Sequence, residues 1–399
     1  MRRSSDGCTE SRRRHSGPDW FTDDQHGFTR GFVMNEVWRW LHRLRMVWAV
    51  LAAFALGSLL IVAAGKNPMA AYQALFKGAF FDYHGLADTL VKMCPMLLAG
   101  LAVIIPMRCG LLNVGAEGQI YIGGLAAAAV ALYLPQMPAM LHVLLCLLAG
   151  MLGGGLWGSI PGYLRAKRGI NEVIVTLLMN YVAINIVSYF AGGPMMQEGA
   201  PYPYSAEISE DLWLPLLLSD TDTHIGVLIA ALLSLMTFVV FKYTTIGFSM
   251  TAVGKSPQAA RYAGMSVNRN LIGSMIAGGA IAGLAGAIEV LGVKYRLYHL
   301  FSPGYGYDGI VVAFMASLNP LLATFSAFFL AGLSTGAQYM QRAIGLDVTA
   351  IEALRGLIVI FVAAGLIWKL NLQKRNNPLA KTASIPNQQN TAEGLTDGR

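Results

Sequence analysis

A chain of 399 residues that is 55% hydrophobic and only 13% charged has too few polar side chains to cover a soluble globule, so its apolar runs must meet lipid. The formal net charge of +7 does not mark a nucleic-acid partner, because the basic residues gather at helix ends and in particular loops, where they set orientation in a membrane. The runs are long, do not alternate and are rich in Ala, Leu and Gly, which excludes a barrel and leaves an all-α integral membrane protein, a polytopic helix bundle.

Residues 1–45 read as a polar, basic, cytoplasmic tail, with Arg2, Arg3, Arg12, Arg13 and Arg14 among Ser, Asp and Gly. Arg2-Arg3 and Cys8 lack the adjoining hydrophobic segment that an export or lipidation signal needs. A transmembrane domain is expected over 46–369, with spans near 46–64, 89–106, 119–134, 139–161, 173–192, 224–241, 271–293 and 349–368. Between 308 and 336 two shorter apolar pieces are divided by Asn319-Pro320, a dipeptide that stops a helix, and read as a hairpin of short or broken helices. This makes about ten membrane segments, followed by a polar cytoplasmic tail over 370–399.

Lys and Arg concentrate in cytoplasmic loops. With the N-terminus inside, the loop carrying Arg165, Lys167 and Arg168 falls inside, as does the segment 242–270 with Lys242, Lys255, Arg261 and Arg269 and no acid. The segment 193–223 then lies outside, with Glu198, Glu207, Glu210, Asp211, Asp220 and Asp222 and neither Lys nor Arg. Lys369, Lys374 and Arg375 return to the inside, while Lys294 and Arg296 land outside, against the rule.

Gly150, Gly154, Gly158 and Gly162 fall four apart and bare one helix face, and Gly279 and Gly283 repeat the pattern further on. Such faces let helices approach closely, either as internal packing or as a seam between two chains. Gly254-Lys255-Ser256 imitates the end of a phosphate-binding loop, but Ser249 stands where the first glycine belongs and Pro257 follows at once. The energy source is therefore another subunit or an ion gradient, and the chain is not itself expected to be an enzyme. The seven histidines are scattered, there is no CxxC pair, and no metal ligand set, cofactor motif or catalytic triad stands out. Ala259, Ala260 and Ala263 at helical spacing, with Gly264 as a stop, predict a short surface helix over 256–264 that either seats in a groove on a partner or lies idle at the interface. Intramembrane polar groups are few: Asn113, Glu117 and Gln119 open one span, Asn171 and Glu172 another, and Asn180 lies nearest a span centre. Glu117 and Glu172 also stand where an acid complements the helix dipole.

The run Gly110-Leu111-Leu112-Asn113-Val114-Gly115-Ala116-Glu117-Gly118-Gln119 resembles the signature of ABC importer permeases of the branched-chain amino acid, simple sugar and nucleoside group, closest to the nucleoside and simple-sugar branch. Asn171-Glu172-Val173-Ile174-Val175-Thr176-Leu177-Leu178-Met179-Asn180-Tyr181 is similar to a second run of that branch. Ala252-Val253-Gly254 through Ala259-Ala260-Arg261-Tyr262-Ala263-Gly264 looks like the family's ATPase-docking loop, with Ser256 where the family commonly has Asn. Gly304-Tyr305-Gly306-Tyr307-Asp308-Gly309-Ile310 and Asn319-Pro320 complete the likeness.

The resemblance implies a plasma-membrane permease that pairs with a second permease chain, sits on cytoplasmic ABC ATPases and is fed by an extracellular substrate-binding lipoprotein. On it, Gly254, Ala259, Ala260, Ala263 and Gly264 shape the ATPase-coupling loop, and Asn113, Glu117 and Asn180 are candidates for the translocation path. Nucleosides lead as substrate, followed by simple sugars and branched-chain amino acids. The rival class, an ion-driven transporter, places ionisable or unwound elements at the midplane, and this chain is sparing with charge there.

Overall fold

The structure, a computed structural model, describes residues 45–135 and 137–345, with Ala353, Gly356, Leu357 and Ile360 as isolated positions. Apart from those four positions the expected span 349–368 lies outside the described residues, as do the tail 1–45 except Arg45 and the whole tail 370–399. The chain divides after Trp48, and the helix packing is that of the unit from Ala49 onward.

The described residues are helical, without a named strand, in the order α1 (Arg45–Ala63), α2 (Pro68–Phe76), α3 (Tyr83–Arg108), α4 (Ala116–Tyr133), α5 (Ala139–Tyr163), α6 (Glu172–Ala191), α7 (Gly226–Tyr243), α8 (Thr245–Lys255), α9 (Pro257–Tyr262), α10 (Val267–Glu289), α11 (Tyr305–Met315) and α12 (Pro320–Ile344). Short polar residues start many of them. Asp82 accepts from Gly85 N, Asn171 from Val173 N, Thr244 from Gly247 N and Asn319 from Leu321 N, each satisfying an otherwise orphaned donor. Pro68, Pro257 and Pro320 occupy first turns, where a missing N–H costs nothing.

Six helical stretches among the described residues are long and apolar enough to cross a membrane: Tyr83–Arg108, Ala139–Arg168, Glu172–Ala191, Gly226–Tyr243, Val267–Lys294 and Pro320–Ile344. Among the described residues this measure does not confirm the expected count of about ten. The expected span 119–134 is helical as α4, but Glu117 and Gln119 in its first turn keep it out of this set, and α4 is enclosed by α5, α6 and α10 rather than turned to lipid. The hairpin does break at Asn319-Pro320, yet its arms are unequal, 11 residues in α11 and 25 in α12.

At the centre α10 packs on α3, α4 and α5, and glycines set the spacing. A Cβ on Gly283 would lie 2.1 Å from the Gly150 carbonyl oxygen, one on Gly154 2.3 Å from that of Gly279, and one on Gly158 2.6 Å from that of Met275. At Gly162 it would stand 2.9 Å from the Met275 Cβ. The two glycine rows therefore face each other inside one chain, in backbone contact.

Outside the spans, the segment between α6 and α7 is held by single bridges, Met196 with Ser205, Tyr204 with Tyr298 and Leu216 with His224. Arg296 pairs there with Glu207, and Lys294 lies 3.6 Å from Glu289, so the two cations that break the charge rule are each neutralised by an acid. His224 is 1% exposed, accepts from Gly226 N and has no partner at Nε2. Burial pushes its pKa down to about 4, against the opposing pull of Asp222. The unfolded chain, with a histidine near 6.5, then binds more protons than the folded one as pH falls from about 6.5 to 4, so stability is lost over that window. Lowering pH from 7 to 5 is expected to cost about 2 kcal/mol at this site. A detergent melt should show a midpoint that falls on acidification and a smaller fall in His224→Gln; identical pH profiles would refute the assignment.

Candidate functional site

Where α3 ends, the chain turns at Gly110 (φ +87°) and runs through residues 111–115 without helix before α4 begins. Pro106 lacks the N–H that would bond the carbonyl of Ala102, one turn back. That carbonyl instead accepts from Asn113 Nδ2 at 3.2 Å, and Asn113 also donates to Gln119 Oε1 at 2.9 Å and accepts from Gly115 N at 3.1 Å. Asn180, on the buried side of α6, accepts from Gly118 N at 2.8 Å and donates to Val114 O at 3.0 Å and Tyr307 Oη at 3.3 Å. Glu117 Oε2 accepts from Gly306 N at 2.6 Å, an approach that needs glycine because a Cβ there would lie 2.2 Å from Glu117 N. Asn113, Glu117 and Asn180 thus belong to one buried polar network, each at most 2% exposed, which fixes the 110–119 turn between α6 and α11. Glu172 secures its edge, with an ion pair to Arg165 at 3.2 Å.

The outward side of α6 is a surface the sequence reading did not single out. Its buried row is Glu172, Thr176, Asn180, Ala183, Val187 and Ala191. On the other side Tyr181, Asn185 and Tyr189 fall four apart, all exposed, along a shallow cavity of about 450 Å³. Ser188 hydrogen-bonds His299, which lines a second cavity of about 430 Å³ with Tyr202, Tyr204, Arg296 and Tyr298. Tyr307 is 39% exposed and joins the outer surface to Asn180 behind it. Four-residue spacing of Tyr and Asn within a span was the available signal.

At the far end of α3, Arg108 donates from Nε and Nη2 to Leu318 O at 3.0 and 2.9 Å and lies over the Phe241 ring. Gly254 meets the same place: a Cβ on it would be 2.2 Å from Arg108 O, and one on Gly110 would be 3.3 Å from Gly254 Cα. Beyond it Ser256 caps α9, accepting from Ala259 N at 3.3 Å. Ala260 is buried, Ala259 and Ala263 are exposed, and Gly264 ends the helix at φ +78°. Tyr262, 93% exposed, stands out from the same short helix. The segment expected to form the coupling loop and the buried network therefore meet within one chain at the Gly110–Gly254 contact.

Among the described residues no group of three His, Cys, Asp or Glu could hold a metal ion, and Cys94, Cys109 and Cys146 are free and buried.

Residues 85–363 match the family model described as a branched-chain amino acid transport system permease component. The chain is 35% identical over 340 residues to a glucose ABC transporter permease protein of Haloferax volcanii, covering 83% of this chain and 89% of that one. It is also 35% identical over 327 residues to a guanosine ABC transporter permease protein of Bacillus subtilis, with 81% and 93% covered. A nucleoside ABC transporter permease protein of Lactococcus lactis is 31% identical over 336 residues, with 82% and 92% covered. No solved structure matches the chain.

Proposed function

Because the chain belongs to the permease-component family of the branched-chain amino acid transport system, we propose that it is the membrane subunit of an importer that moves a nucleoside, driven by ATP hydrolysis on a separate subunit. Its N- and C-termini lie in the cytoplasm. A cytoplasmic ABC ATPase docks on α8 and α9, a second permease chain faces α6, and an extracellular substrate-binding lipoprotein delivers the solute to the segment between α6 and α7.

The observation that carries this reading is the outward row Tyr181, Asn185 and Tyr189. Tyr189 alone would suit an interfacial aromatic belt, but Tyr181 and Asn185 lie well inside a 20-residue span, and although Asn185 Nδ2 donates to Tyr181 O at 2.7 Å, the rest of an exposed amide turned to lipid is unfavourable. A water-filled path between two chains satisfies it. Phenol rings offer stacking faces to a flat heterocycle, and the lining of this cavity carries no Asp, Glu, Lys or Arg. That is the chemistry of a neutral nucleobase, passed along from the tyrosine-rich outer cavity. Asn113, Glu117 and Asn180 act from behind this surface, holding the turn and Tyr307 that border the path.

The test is uptake of labelled guanosine and labelled glucose by cells expressing the whole assembly. Guanosine should accumulate, and Tyr181→Ala should lower its kcat/KM about 5- to 100-fold, as expected for one lost stacking contact, with the ATPase still co-purifying. Accumulation of glucose instead would overturn the nucleoside assignment while leaving the permease role intact. Full guanosine uptake in Tyr181→Ala and in Asn185→Leu would remove α6 from the path.

A further inference from the structure

We infer that the groove beside the start of α10 is a binding site for an anionic phospholipid, with its phosphates held by Lys167, Arg261 and Arg269. This rests only on the chain crossing a membrane and is independent of the transported solute.

The groove has a volume of about 750 Å³, far more than a single phosphate fills. Its three cations come from separate segments: Lys167 from the turn that ends the α5 stretch, Arg261 from α9 and Arg269 from the first turn of α10. No acid lines it, and none of the three makes an ion pair among the described residues. The first turn of α10 adds unpaired backbone N–H groups, since Ser266 makes no side-chain cap there. Three uncompensated cations around one concavity call for an anion carrying more than one charge.

The apolar part of the groove indicates the kind of anion. Ile272 and Ile276 continue the lining one and two turns deeper along α10, and Ile276 is 41% exposed. Between them Gly273 has nothing within 4 Å of the place a Cβ would take, so the missing side chain leaves the groove open. Both membrane-crossing stretches beside it, Ala139–Arg168 and Val267–Lys294, have an end here, which puts the cations at headgroup depth and the isoleucines toward the hydrocarbon. Charge followed inward by apolar surface is the order of a phospholipid, and basic pockets between helices at a membrane face suit a diphosphate headgroup of the cardiolipin type. Free phosphate or an acidic protein loop would use the cations but leave Ile272 and Ile276 uncovered.

The experiment uses the permease purified with its ATPase and placed in nanodiscs of phosphatidylcholine with or without cardiolipin. Native mass spectrometry counts the retained lipid, and inorganic phosphate is added as a competitor. Cardiolipin should be retained by the wild type and not displaced by phosphate. Lys167→Gln with Arg269→Gln should weaken retention roughly 30-fold, and Gly273→Leu, whose Cβ would stand in open space and whose side chain would extend into the groove, should weaken it with all charges in place. Lys77→Gln, on an exposed cation outside both the groove and α8–α9, should leave lipid retention unchanged. The inference is overturned if the wild type keeps no cardiolipin, if Gly273→Leu retains it fully, or if phosphate displaces it. It is equally overturned if the charge variants keep the lipid and lose the ATPase, which would make the groove a protein interface.

Discussion

Alanine at Gly283 should prevent the bundle from assembling, whereas alanine at Gly155, on the facing helix, should be tolerated. At Gly283 the added methyl would stand 2.1 Å from the Gly150 carbonyl oxygen and 2.9 Å from the backbone of Gly154, so nothing short of moving α5 away from α10 admits it. At Gly155 the nearest atoms are 3.4 to 3.6 Å away, an ordinary contact. Overpacking a tight site costs about 1–3 kcal/mol when side chains can yield, and more when, as here, the obstruction is backbone. A loss of at least about 3 kcal/mol for Gly283→Ala is expected, against under about 1 kcal/mol for Gly155→Ala. Yield of monodisperse protein and the thermal midpoint in detergent measure it. Equal midpoints for the two variants would mean that the glycine rows do not carry the α5–α10 contact.

The second large effect is expected at Gly264. Tryptophan there should abolish co-purification of the ATPase and with it all ATP-dependent uptake. Two effects combine, since φ of +78° disfavours any side chain by about 1–2 kcal/mol and the ring would project beside the exposed Ala259, Tyr262 and Ala263. Gly169→Trp separates them. It has φ of +68°, is equally open and is exposed in the loop before α6, so it carries the same backbone strain without disturbing α9. If Gly169→Trp releases the ATPase and Gly264→Trp retains it, the docking surface lies in that loop instead. Loss with both would point to general destabilisation, which the thermal midpoints would reveal.

Much of this architecture is legible in the sequence because local rules decide it. Asn319-Pro320 marks a helix start by an amide that can cap and a ring that cannot continue the preceding turn, and that is where α12 begins. The start at Ser256 and the stop near Gly264 are equally local. Burial of one span inside others is not local. The α4 sequence reads as one more lipid-facing span, and only its enclosure by α5, α6 and α10 shows otherwise. Segment 68–81 gives no span signal because α2 has only 9 residues, too few to cross a membrane, and passes at once into a wider turn at Lys77–Phe81.

Legibility of the candidate site divides the same way. Asn113, Glu117 and Asn180 are noticeable as polar residues in apolar surroundings, but several of their partners are backbone groups that no spacing reveals, such as the carbonyl that Pro106 leaves free. The basic groove is assembled from position 167 and, about 100 residues later in chain order, positions 261 and 269, and appears only when α5 and α10 are side by side.

The enclosure of α4 bears on how the protein is made. Its first turn carries Glu117 and Gln119, and the α10 glycines that receive it, Gly283 and Gly286, are about 160 residues further along the chain. At about 5–20 residues per second, ribosomes need roughly 10–30 s to make that length. Throughout that interval a helix whose first turn carries an acid and an amide lacks the α10 face that encloses it in the finished protein. Codon changes that alter the translation rate in that interval should therefore alter yield with no change in the finished protein.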